Sequence, residues 1–232
     1  MAAVSKQDRI DEIVQNVQGA LRRDSLFEAE RMSMKALVIA HQICDYQRMA
    51  VIVPLMNDAR QRRWQQALAH ESITIVLEQV TENYEFAAGC YLVQPPQVGA
   101  DARRLRMAAL QSEVPVAVIC REPTTQLGLC PIVAIGPGVT IRTKIDLPAD
   151  ADTPDMDWFL SAFDALGQEA VDTIDLEAEV TRRIKQLLEV LDAVPECEPL
   201  HQLLEKTCQE AAAQIEAKPA ARKSTAKSKA KT

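Results

Sequence analysis

Apolar residues near the start of the chain recur at helical spacing. Ile10, Ile13, Val14, Val17, Ala20 and Leu21 follow the i, i+3, i+4, i+7 rule of an amphipathic helix. Ser5 and Asp8 stand ahead of it at capping-box spacing. Arg22 and Arg23 close it, where cations suit the helix dipole. Asp24-Ser25 can cap a second helix with Leu26, Ala29, Met32, Ala36, Leu37, Ala40 and Ile43 inward. Asp45 can cap a third, with Met49, Ile52, Val53, Met56, Trp64 and Leu68 inward. Pro54 lies inside that pattern and predicts a kink or a break, because proline lacks a backbone donor and crowds the preceding turn.

The pattern changes at Ser72. SITIVLEQ, residues 72–79, is rich in β-branched residues and predicts a strand. Tyr91–Gln94 is a short apolar run stopped by Pro95-Pro96. Ala100–Glu113 predicts a helix with Ala102, Leu105 and Ala109 inward, and Val114–Cys120 predicts a buried strand. Strand, helix and strand within this span make a βαβ unit with parallel strands. Ile132–Ile135 and Val139–Ile145 predict a hairpin around Gly136-Pro137-Gly138. In its second arm Val139, Ile141, Thr143 and Ile145 alternate with Thr140, Arg142, Lys144 and Asp146, as on a half-buried edge strand.

Helical spacing returns after an acidic, proline-flanked break at Asp150–Asp152. Thr153 predicts the cap and Pro154 the first helical residue, with Trp158, Phe159, Ala162, Leu166 and Ala170 inward. Gly167 predicts an early end. Asp175 predicts the cap of the next helix, with Val180, Ile184, Leu187, Leu188 and Leu191 inward. Pro199 opens the last helix. The expected fold class is α+β with an α/β-like centre. Helical hairpins flank a small mixed β-sheet that contains one βαβ unit and a C-terminal hairpin. The regions are 1–71 helical, 72–148 the α/β module, 149–217 helical, and 218–232 a basic tail without fixed structure.

Two segments resemble a known family. DSLFEAERMSMKALVIA (Asp24–Ala40), with Ala29 and Ala36 as closely packed small residues, resembles the second half of a tetratricopeptide repeat. LLEVLDAVPECEPLHQLLEKTC, with Pro195 between two helices, resembles a junction of such repeats. The resemblance implies paired helices and a protein-binding role by analogy.

Composition narrows the picture. Of 232 residues, 47% are hydrophobic but only 4% aromatic, so the core must be aliphatic. Seven glycines are too few for an all-β chain rich in tight turns. The net charge is −7 and is unevenly spread. Lys218, Arg222, Lys223, Lys227, Lys229 and Lys231 cluster at the end without an acid among them. With those six set aside, 20 basic residues face 33 acidic ones. Any nucleic-acid contact is thereby confined to the tail, where it would be non-specific and salt-dependent. The six cysteines form no C-x-x-C pair, and no apolar run has the length of an export signal or a membrane span. A cytoplasmic, reducing setting with free thiols is the expectation.

Candidate chemistry gathers at the predicted parallel strand ends, where α/β sheets bind ligands. Gln94, Gly99, Arg104, Arg121 and Glu122 are the candidate ligand-binding residues there. The turn Pro95–Asp101 has the strand-to-helix form of a phosphate site. It carries one glycine, however, and Asp101 occupies the place of the anion. Arg103, Arg104, Arg106, Arg121, Arg142 and Lys144 could converge on an anion or an acidic partner; the alternative is a solvated face. Cys90, Cys120 and Cys130 lack a neighbouring histidine in the module and read as structural. No catalytic, metal or cofactor signature stands out. The expected function is a non-enzymatic interaction or scaffold protein with protein partners. The alternatives are a small-ligand-binding module with an anion-accepting site, and polyanion association through the tail.

Overall fold

The computed structural model describes residues 5–79, 81 and 84–229, with side chains described up to residue 217. Three helices open the chain: α1 (Lys6–Arg22), α2 (Leu26–Gln42) and α3 (Tyr46–Leu68). Then come β1 (Ile73–Val76), β2 (Gly89–Val93), α4 (Gly99–Gln111), β3 (Val116–Arg121), β4 (Leu129–Gly136) and β5 (Val139–Asp146). The chain closes with α5 (Met156–Asp172), α6 (Val180–Ala193) and α7 (Glu198–Lys229). The basic segment thus begins on the backbone of α7, and Lys231 lies outside the described residues.

The strands form one mixed sheet in the order β1-β2-β3-β4-β5. β1, β2 and β3 run parallel, whereas β4 is antiparallel to β3 and to β5. The fold is therefore α+β, with one βαβ unit, β2-α4-β3, and a C-terminal hairpin. Strand alternation divides the core in two. Cys90 and Leu92 of β2 and Ala117 and Ile119 of β3 face one side, where α3, α5, α6 and α7 bury Met49, Ile52, Phe159, Ile184 and Leu204. Tyr91, Val93 and Cys120 face the other side, covered by Ala102 and Leu105 of α4. The period-2 geometry of strands produces this division. Helices from both ends of the chain thus pack on one sheet face. A smaller cluster, with Val17, Ala20, Leu26, Ala29 and Ala59, joins α1, α2 and α3.

The capping box forms as expected. The Asp8 backbone amide donates to the Ser5 hydroxyl oxygen at 3.0 Å, and the Ser5 amide donates to Asp8 at 3.3 Å. Asp45 caps α3 through the amide of Arg48. Several local expectations change. α3 runs unbroken through Pro54, because buried Met49, Ile52, Val53 and Met56 hold both halves on the core while Pro54 faces solvent. Asp24 sits at φ +59° in the turn, where its carboxylate pairs with Arg62, and Ser25 precedes α2 without a side-chain cap bond. Asp155, not Thr153, caps α5: its carboxylate accepts the Trp158 amide at 2.8 Å, while the Thr153 hydroxyl turns back to Asp150. Asp175 accepts the Glu177 amide in the turn, and α6 begins only at Val180. Gly167 does not end α5. A Cβ there would lie 3.2 Å from the Cys197 sulfur, so the glycine lets α7's lead-in pack against the helix.

Gly136 makes the closest such approach. A Cβ on it would lie 2.9 Å from the backbone nitrogen of Ala193. Neither backbone can yield cheaply, so Gly136→Ala is expected to destabilise the protein by about 1–3 kcal/mol, the usual range for overpacking. Urea unfolding of the two proteins checks this.

Candidate functional site

The five residues expected at the strand ends are held by separate partners. Gln94 is buried; its backbone N–H donates to the Val76 carbonyl, and its side-chain Oε1 has no partner among the described residues. Gly99 opens α4 and gives close contact with β4, since a Cβ would lie 2.8 Å from Ile135 Cδ1. It lines a gap of only about 20 Å³. Arg104 pairs with Asp101 at 2.7 Å, and Asp101 also accepts the Val98 amide at 3.0 Å. The Arg121 guanidinium donates to the Ala151 carbonyl at 2.6 Å, and Glu122 pairs with Arg142 at 2.8 Å. Arg103 and Arg106 do not form a solvated face with Arg104. They tie α4 to the end of α6, Arg103 through Asp192, and Arg106 through the carbonyls of Asp192 and Ala193 at 2.6 and 2.8 Å.

Arg106 leads to a different site. Beside it, α2, α3, α4 and the α6–α7 turn enclose a cavity of about 270 Å³. Its polar wall is built on Glu30, whose side chain is 7% exposed. The Arg60 Nε donates to Glu30 at 2.6 Å, and Arg63 pairs with the other carboxylate oxygen at 2.8 Å. Arg63 also lies over the Phe27 ring, 4.8 Å from its centroid. The remaining wall is chiefly apolar, with Met34, Met107, Leu110, Val114, Val116 and Pro195.

Electrostatics here follow from burial and proximity. Burial opposes the charge of Glu30, but Arg60, Arg63 and Arg106 outweigh it and hold its carboxyl below the usual value. Burial lowers the Arg106 pKa, against the pull of Glu196 and Asp192. His201 is pushed down to about 3, first by burial and then by the charge of Arg60. Its ring is therefore neutral, with Nε2 at 2.9 Å from the Pro195 carbonyl. The donors Arg60 Nη1 and Arg63 Nε have no hydrogen-bond partner among the described residues, and neither do the acceptors Glu30 Oε2 and His201 Nδ1. Such unpaired buried polar groups are uncommon and call for an explanation.

Sequence reasoning missed this cluster, although one signal was available. Glu30 lies on the inward stripe Leu26, Ala29, Ser33 and Leu37 of α2, and a buried carboxylate demands a cation. Which arginine answers it depends on how α3 is docked.

Two further cavities adjoin. One, of about 300 Å³, lies between α2, α3 and α6 and shares Met34, Arg60 and Asp192 with the first. Another, of about 420 Å³, lies beside Trp64, Phe163 and Cys197. The cysteines are free; burial raises the pKa of Cys90, Cys120, Cys130, Cys197 and Cys208, which leaves them protonated at neutral pH. Among the described residues, no group of three or more His, Cys, Asp or Glu side chains could hold a metal ion. No described helix is long and apolar enough to cross a membrane. No family model matches the chain, and neither does any curated protein or solved structure.

Proposed function

We propose that this protein is a non-enzymatic binding module that takes a small organic anion in the cavity beside Arg60, Arg63 and Arg106. One observation carries the reading: two buried guanidiniums, of Arg60 and Arg63, meet a buried carboxylate at the wall of a largely apolar cavity that Arg106 also lines. Concave, mostly apolar sites with a few convergent polar groups are the usual form of ligand pockets. The reading keeps the anion-accepting module expected from the sequence but moves its site from the strand ends to the junction of α2, α3 and α4. A protein partner is the natural reader of such binding. Val38 and Val51, 52% and 50% exposed on the outer helices, support that role. The free thiols support a reducing, cytoplasmic setting. Composition alone supports polyanion association by segment 218–232.

Thermal unfolding with a panel of small organic anions tests the site. An anion at a hundred times its Kd is expected to add about 2.7 kcal/mol of stability. Met107→Trp fills the cavity from α4 and is expected to remove that gain. A panel in which no anion raises the melting temperature would refute the reading.

A further inference from the structure

We infer that the ligand is an aliphatic monocarboxylate, its carboxylate against Arg60 and Arg63 and its chain running past Met34 into the adjoining cavity. This rests on the binding reading above and goes on to name the ligand class.

Charge selects a monoanion. Of the charged residues lining the first cavity, Arg31 is paired with Glu113, and Asp192 with Arg103. That leaves Arg60, Arg63 and Arg106 against Glu30 and Glu196, an excess of one positive charge. Arg106 spends both terminal nitrogens on backbone carbonyls, so it supplies field more than donors. Arg60 is different. Its side chain is 6% exposed, it lines the cavity, and its Nη1 has no partner among the described residues. Arg63 Nε is likewise unpartnered. A carboxylate has the lone pairs to accept from both, and charge-assisted bonds of this kind are the strong ones.

The walls select an aliphatic body. Beyond the arginines, Met107, Leu110, Val114 and Val116 offer no side-chain hydrogen bond to a sugar or a base. The adjoining cavity is lined by Leu37, Val38, Met56, Leu188 and Leu191, with His41 and Gln42 as its polar side chains besides Arg60 and Asp192.

The partition selects length. The cavities, of about 270 and 300 Å³, share Met34 and Arg60. Each lies at the lower edge of the roughly 300–1,000 Å³ typical of ligand sites, and together they fall inside it. Met34 is unbranched and adaptable, and it rests on Arg60 through an Nη2···Sδ contact of 3.5 Å. A carboxylate that engages Arg60 competes for this guanidinium and frees Met34 to swing aside.

The test is calorimetric titration of the full chain with sodium acetate, butanoate, hexanoate, octanoate and decanoate below their micelle-forming concentrations. Octylamine and octanol serve as charge controls, and phenyl phosphate and inorganic phosphate as other anions. Affinity is expected to rise roughly fourfold per added methylene until both cavities are filled, then level off. Val38→Trp, at an exposed position lining the second cavity, should reduce decanoate affinity at least tenfold while leaving butanoate unchanged. Leu188→Trp, at a position that lines the second cavity and not the first, should do the same, and circular dichroism without ligand shows whether each variant is folded. Equal affinity for butanoate and decanoate, or for octanol and octanoate, would overturn the inference. Binding of phenyl phosphate without any carboxylate would overturn it too, yet leave the anion site standing. If no anion binds, both fall.

Discussion

Glu30→Ala is expected to destabilise the protein by about 3–5 kcal/mol, the range for removing one partner of a buried ion pair. The loss is large because Arg60 and Arg63 remain in place, with side chains 6% and 11% exposed. Their charges would be left without the carboxylate that now accepts from Arg60 Nε and pairs with Arg63. Glu30→Gln keeps the volume and isolates the charge. Replacing Glu30, Arg60 and Arg63 together by Met should cost less than Glu30→Ala, since an apolar trio leaves no orphaned charge there. Equilibrium urea unfolding at neutral pH measures all four proteins. A loss near zero for Glu30→Ala would mean that water reaches the arginines and that the cluster is not buried in solution.

The same carboxylate makes stability depend on acid. Its folded pKa is lowered from the ordinary value of 4.5. The contribution is therefore fully present above the unfolded carboxylate pKa, and is lost as pH falls through the lower, folded value. Glu30→Gln should lose less stability over that acid range than the parent chain does. His201 adds to the acid sensitivity. It is neutral in the fold and protonates more readily once unfolded, so its preference for the folded state fades as pH drops below about 6.5 toward about 3.

Phe159→Ala is expected to cost about 3–5 kcal/mol, the usual loss for truncating a buried phenylalanine. Phe159 is fully buried in the larger core, with its ring 5.4 Å from Phe163. Phe163 in turn meets the edge of Trp64 at 4.1 Å. This short aromatic chain links α5 to α3 in a chain whose composition supplies few aromatics. Packing here has few large rings to share the loss, so the cavity left behind should stay open. Phe159→Leu should cost less because it removes less volume. Urea unfolding followed by tryptophan emission reads both variants, since Trp64 lies at the end of the chain of rings.

Much of the architecture was legible because its signals are local. The stripe from Ile10 to Leu21 and the Ser5–Asp8 box became α1 with its cap. The run from Cys90 to Arg121 became a parallel strand, helix and strand, and the alternation from Val139 to Asp146 became an edge strand. Boundaries failed where competing caps lay close together, as at Thr153 and Asp155. They also failed where tertiary packing overrode a helix breaker, as at Pro54 and Gly167. The resemblance of two segments to helical repeats conveyed paired helices and no more, because a repeat's identity rests on neighbours stacked in series.

The candidate site was less legible. Gln94, Gly99, Arg104, Arg121 and Glu122 were grouped by their nearness to predicted strand ends. Arg104, Arg121 and Glu122 instead satisfy neighbours of their own. Glu30, Arg60 and Arg106 come from three helices well apart in the chain, and no motif spacing joins them.

The sequence alone determined where helices and strands form, which faces turn inward, and that one βαβ unit lies at the centre. Periodicity, caps and turn residues act over a few positions and need no knowledge of the rest of the chain. Tertiary structure decided that helices from both ends share one sheet face. It also decided that Arg106 turns to the end of α6, and that Arg60 and Arg63 pair with Glu30 beside a largely apolar cavity. These depend on the docking angle of α3 and α4 against the sheet. Side-chain packing over the whole core sets that angle, and residues far apart in sequence contribute to it jointly.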